Sequence, residues 1–98
     1  MFTVVWTYTV PEQHREAFKM HYRENGSWAK LFQKGDGYLH TECYQDADHP
    51  ERCLTIDRWR SREQYDRFFE QYRDAYLALD KQCEGLTDNE ELIATLDE

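Results

Sequence analysis

The spacing of apolar residues switches repeatedly between two and three-to-four along this chain, and the order of the switches restricts the fold more than any single residue does. From Phe2 to Val10 the residues Phe2, Val4, Trp6, Tyr8 and Val10 fill every second place, with mostly threonine between them, which predicts a strand. Pro11 and Glu12 suit a first helical turn, and Ala17, Phe18, His21 and Tyr22 recur at helical spacing, so a helix is expected from about 11 to 24. Asn25-Gly26 interrupts it. Ser27 can cap a short second helix expected through Trp28, Leu31 and Phe32, which Gly35-Asp36-Gly37 stops. Tyr38 to Gln45 and Arg52 to Trp59 read as two strands of an antiparallel hairpin, joined by the polar stretch Asp46 to Glu51. Beyond Trp59, Ser61 and Gln64 resemble a capping box, and Tyr65, Phe68, Phe69, Tyr72, Tyr76, Leu79 and Cys83 repeat at three and four. That predicts one long amphipathic helix, stopped by Gly85 and followed by a last strand from Glu91 to Leu96.

The resulting βαββαβ order predicts an α+β, ferredoxin-like domain spanning residues 1–98: one antiparallel four-stranded sheet with its helices on one face. The other face is not cleanly polar, because Val5 backs the first strand's apolar row and Leu54 and Ile56 oppose Cys53 and Trp59. A second copy packed sheet on sheet about a two-fold axis would cover it, so a homodimer is expected. The length of 98 residues, with a modest core, points the same way.

Charge removes several partner classes. Twelve basic residues against 20 acidic ones give a net charge of −8, which repels nucleic acid and anionic membrane surfaces. The aromatic-and-basic signature of an RNA-reading sheet is absent, as are phosphate-cradling Gly-rich loops and a nucleophile elbow. No apolar run approaches a membrane span, and Met1 to Val10 lacks the pattern of a secretory leader, so a cytoplasmic protein is expected. Cys43, Cys53 and Cys83 have no metal-ligand spacing, and reduced, buried thiols are the default, although Cys43 and Cys53 could face each other across the hairpin.

Aromatic residues are abundant, and a planar apolar ligand held between helices and sheet would suit them. The candidate lining is Trp6, Tyr8, Trp28, Phe32, Trp59, Phe69 and Tyr72; ordinary core packing explains the helical members equally physically. Candidate acid–base groups are Asp57 on the third predicted strand, His40 with Glu42 on the second, and His14 with His21 on the first helix. Facing strands could join Asp57 to His40 and Glu42. The competing reading is ion pairing with Arg52 or Arg58, and a polar boundary role for the two helical histidines. No metal site is expected: His14 and His21 stand roughly 10 Å apart along a helix.

The segments Val4-Val5-Trp6-Thr7-Tyr8, Gly37-Tyr38-Leu39-His40-Thr41-Glu42, Leu54-Thr55-Ile56-Asp57-Arg58-Trp59 and Ser61-Arg62-Glu63 resemble the antibiotic biosynthesis monooxygenase family over nearly the whole chain. The resemblance implies a dimeric α/β barrel. It also implies one of two chemistries, oxygenation of aromatics without metal or flavin, or degradation of haem. Haem-degrading relatives use an asparagine, a tryptophan and a histidine where Thr7, Phe68 and Ala78 fall here, so haem chemistry is not carried over. Two functions are therefore expected. One is a monooxygenase without cofactor, acting on a small aromatic or quinol-like substrate; the alternative is a non-catalytic dimer that binds a small hydrophobic ligand or serves a stress-related role.

Overall fold

The structure, a computed structural model, describes residues 1–98. Strand β1 (Phe2–Thr9) leads through a 3-10 turn (Glu12–His14) into α1 (Arg15–Tyr22) and α2 (Ser27–Phe32). The hairpin β2 (Tyr38–Gln45) and β3 (Arg52–Trp59) follows, then α3 (Arg62–Gln71), α4 (Arg73–Cys83) and β4 (Asn89–Asp97). The sheet order is β2-β3-β1-β4, all pairs antiparallel, which is the ferredoxin-like arrangement expected from the sequence.

Two departures from the sequence pattern matter. The first predicted helix opens as a 3-10 turn rather than as α-helix. The predicted long helix is two helices that meet at Tyr72, whose φ of −116° and ψ of 29° leave the helical region. No glycine or proline marks this break. Tyr72 instead donates its hydroxyl to the carbonyl of Lys34 at 3.1 Å, a tertiary contact that side-chain periodicity does not encode. At the start of α3 the predicted cap is present: Ser61 Oγ accepts the amide of Gln64 at 3.1 Å.

Alternation places Phe2, Val4, Tyr8 and Val10 of the β1 segment, with Cys53 and Trp59 of β3, against Phe18, Tyr22, Trp28, Leu31, Phe32 and Phe68 of the helices. Trp59 has no exposed surface and sits among Phe32, Tyr38, Tyr65 and Phe68, with ring centroids 5.3–5.7 Å away. On the opposite face Val5, Ile56 and Leu96 border a shallow depression with Thr3 and Arg58, and no helix covers them.

Candidate functional site

Two bulges decide which side chains face the helices. In the β2–β3 ladder Tyr38 pairs with Trp59 and His40 with Arg58, so Leu39 is the extra residue. Tyr38 is thereby turned to the helix-facing side, away from His40, Glu42 and Tyr44, with which simple alternation would group it. It meets Thr41, their hydroxyl oxygens 2.7 Å apart. A second bulge in the β1–β4 ladder, between Val5 and Trp6, lets Leu92 pair with Trp6 and Glu90 with Tyr8.

Between sheet and helices lies a solvent-connected cavity that offers about 80 Å³ to the centres of water-sized molecules. Its floor is Val4, Trp6 and Tyr8 of β1 with Thr55 and Asp57 of β3 and Thr41 of β2. Its roof is aromatic: Tyr22 and Trp28 from α1 and α2, Tyr65 and Phe69 from α3, and Tyr76 from α4. The roof rings brace one another, Trp28 against Tyr76 at 5.1 Å and Phe69 against Tyr76 at 4.9 Å. Asp80 of α4 and Glu90 of β4 complete the rim.

Asp57 is the site's distinctive group. Thr41 Oγ1 donates to its Oδ1 at 2.6 Å, which obliges Tyr38 to donate to Thr41 in turn, since a hydroxyl has one proton to give. No cation pairs with the carboxylate. Burial holds its pKa up to about 6, against the opposing pull of the Thr41 hydrogen bond. The side chain is set deep in the fold yet touches the cavity. Beside it Tyr8 and Thr55 share a hydrogen bond of 2.8 Å, and burial raises the Tyr8 hydroxyl well above the ordinary phenol range.

The other candidates are distributed differently. His40 and Glu42 lie on the far face of the sheet, where Glu42 binds Arg58 at 2.8 Å and His40 at 3.2 Å. The juxtaposition of Asp57 with His40 and Glu42 considered from the sequence is therefore not made, because successive strand residues point to opposite faces and Asp57 and Arg58 part company there. His14 ends the 3-10 turn, and His21 Nδ1 lies 2.9 Å from Ser27 Oγ; neither lines the cavity. Among the aromatic candidates, Trp6, Tyr8, Trp28, Phe32 and Phe69 line the cavity, whereas Trp59 belongs to the packed core and Tyr72 is engaged by Lys34. Tyr22, Tyr65, Tyr76, Asp80 and Glu90 line it without having been singled out. The helical stripe could have found the three tyrosines, but nothing in the sequence registers β4 against β1.

The indole N–H groups of Trp28 and Trp59 are buried without an acceptor. All three cysteines are free; Cys43 pairs with Thr55 and Cys53 with Gln45, so the two thiols are diagonal neighbours. Burial pushes the Cys43 thiol up to about 11, which leaves little thiolate at neutral pH. No three His, Cys, Asp or Glu side chains gather as metal ligands, and no helix is long and apolar enough to cross a membrane.

Comparison with known proteins places this geometry. No curated protein matches the sequence. Among solved structures, SnoaB, a cofactor-independent oxygenase from Streptomyces nogalater, is similar with a TM-score of 0.73 at 17% identity, covering 99% of this chain and 91% of that one. A protein from Pseudomonas aeruginosa is similar with a TM-score of 0.68 at 20% identity, covering 99% of this chain and 92% of the other. A conserved protein from Methanosarcina mazei gives 0.67 at 14% identity, with 99% and 91% covered. At such identities the likeness is one of fold. The family model for antibiotic biosynthesis monooxygenase matches residues 1–79, which include β1, the hairpin, α3 and much of α4. The chain belongs to the antibiotic biosynthesis monooxygenase family.

Proposed function

We propose that the protein is an oxygenase that needs no metal or flavin and acts on a small electron-rich aromatic, a phenol or quinol. The observation that carries this reading is the uncompensated Asp57 carboxylate on the floor of an aromatic cavity, with a pKa of about 6. Such a group is mostly ionised at neutral pH yet basic enough to take a proton, which is what a general base requires. Thr41 occupies Oδ1 and fixes the carboxyl orientation, leaving Oδ2 for the substrate.

In the proposed reaction Asp57 takes the hydroxyl proton of the bound aromatic. The resulting anion passes one electron to dissolved O₂, and the superoxide and aryloxyl radicals combine through a new C–O bond. Loss of water breaks the O–O bond: one oxygen atom stays in the new carbonyl, and the other leaves as water with the hydroxyl proton returned by Asp57 and the hydrogen of the ring carbon that was attacked. The roof excludes bulk water around the radical pair and stacks on the ring. The apolar outer face formed by Val5, Ile56 and Leu96 is the surface on which a second copy would pack.

The test is oxygen uptake by metal-free protein with anthrone-like and quinol substrates. One O₂ is consumed per substrate, and Asp57→Asn lowers kcat by about 10²-fold or more. Absence of uptake across such a panel would overturn the oxygenase reading. The eight aromatic rings of the lining favour a second reading, a binding protein without chemistry, which predicts a small aromatic retained through gentle purification and seen by native mass spectrometry.

A further inference from the structure

The cavity is acidic at both ends and has no basic group anywhere on its walls. Asp57 marks one end; Asp80 and Glu90 mark the other, and no lysine, arginine or histidine lines it. In the ladders Val4 pairs with Asp57 and Tyr8 with Glu90, so the two ends lie four residues apart along β1 and on opposite sides of it. Ordinary strand dimensions put their Cα atoms roughly 16 Å apart, and because both side chains stand on the helix-facing side of the sheet, Glu90 at the exposed rim, the gap between them fits one ring with a short arm.

The rim carboxylates are not neutralised. Burial raises the pKa of Glu90, and the charge of Asp80 raises it further, as expected for like charges without a cation between them. Tyr76 feels both of them and Asp57 as well, so it stands within the field of both ends. Outside the rim, Glu84 and Asp88 extend the negative surface, opposed by Lys81 alone. The walls between the two ends are aromatic, with Trp28, Tyr22 and Tyr76 among them, and a ring that turns its face to the cavity attracts a cation. At the deep end, Asp57 Oδ2 receives no hydrogen bond from the protein.

We infer that the substrate of this site is a phenol carrying a short cationic amine arm, with its hydroxyl at Asp57 and its ammonium between Asp80 and Glu90; this rests on the oxygenase reading above. A hydroxyl donor satisfies Oδ2, the ring fills the aromatic middle, and the ammonium replaces the missing cation at the rim. A phenol with a carboxylate arm meets like charge at the same place and is turned away. Acidity thus sets specificity at one end while it supplies the base at the other.

The experiment measures binding under argon, so that turnover plays no part, using tyramine, para-ethylphenol and para-hydroxyphenylpropionate, which share a ring and differ in the charge of the arm. Calorimetry at low salt should give tyramine about fivefold tighter than the neutral phenol, and the acid weaker than both by a similar factor. High salt should compress the series. In the Asp80→Asn/Glu90→Gln variant the three affinities should agree within about twofold. The inference is overturned if tyramine does not bind, if the order does not follow charge, or if the order survives in that variant. Loss of oxygen uptake with the charge order intact would remove the oxygenase reading and keep the cation-selective site. Uptake without the charge order would remove this inference alone.

Discussion

Thr41 donates a 2.6 Å hydrogen bond to Asp57 across the β2–β3 ladder, and it is the one protein contact that favours the ionised form of that buried carboxyl. Thr41→Val deletes the donor and also leaves the Tyr38 hydroxyl without its partner. The Asp57 pKa should then rise above about 6. The acid limb of kcat/KM should move to higher pH, with activity lost near pH 6 and largely recovered in alkali; an unmoved limb would separate Asp57 from the base.

Asp57→Asn should stabilise the fold while removing activity. The unfolded carboxyl ionises near 3.8 and the folded one near 6, so the folded state binds more protons between these values and its stability falls as pH rises through them. At neutral pH the neutral amide avoids that cost, a gain of up to about 3 kcal/mol before screening by cavity water. Thermal unfolding should show a higher Tm for the variant at pH 7, with the difference closing as the pH approaches 4.

Glu42 behaves in the opposite sense on the far face. Hydrogen bonds from Arg58, Tyr44 and His40 hold its pKa down to about 2, so it contributes stability above pH 4.5 that is lost as the pH falls towards 2. Its carboxylate is partly solvated, which discounts the effect, and Glu42→Gln should cost about 0.5–1 kcal/mol at pH 7. Denaturant titrations at neutral and strongly acid pH should show that cost at the first and none at the second.

Phe68→Ala tests the core beneath the roof. Phe68 is 1% exposed and its ring centroid lies 5.3–5.4 Å from those of Phe32, Trp59, Phe69 and Tyr72. Truncation should cost about 3–5 kcal/mol and loosen the cavity roof through Phe69. A loss below about 1 kcal/mol would mean that neighbouring rings collapse into the space.

The alternation of Phe2 to Val10 and of Cys53 to Trp59 separates the two faces of β1 and β3 in the sequence, but not which of them meets the helices, so the inward position of Asp57 and the outward one of His40 and Glu42 are known only from the fold. Nor could alternation supply register. The bulge at Leu39 reverses Tyr38, and the bulge after Val5 sets Glu90 opposite Tyr8; both depend on pairing between distant segments. The predicted helix breaks at Tyr72, whose hydroxyl reaches a carbonyl 38 residues away, a contact that helical spacing does not encode. The histidines drew attention by residue type alone, and their positions at a turn, a helix end and an outer face are set by tertiary placement.

Asp57 stands on β3, a central strand clamped on both sides, whereas the roof rings above it come from helices. A substitution at Tyr22, Tyr65, Phe69 or Tyr76 reshapes the chamber without disturbing the ladder that aims the carboxyl. Preference for one aromatic over another and capacity for proton transfer are thus held by separate parts of the molecule. A lineage built this way can drift among substrates one roof residue at a time while its reactive floor stays as it is.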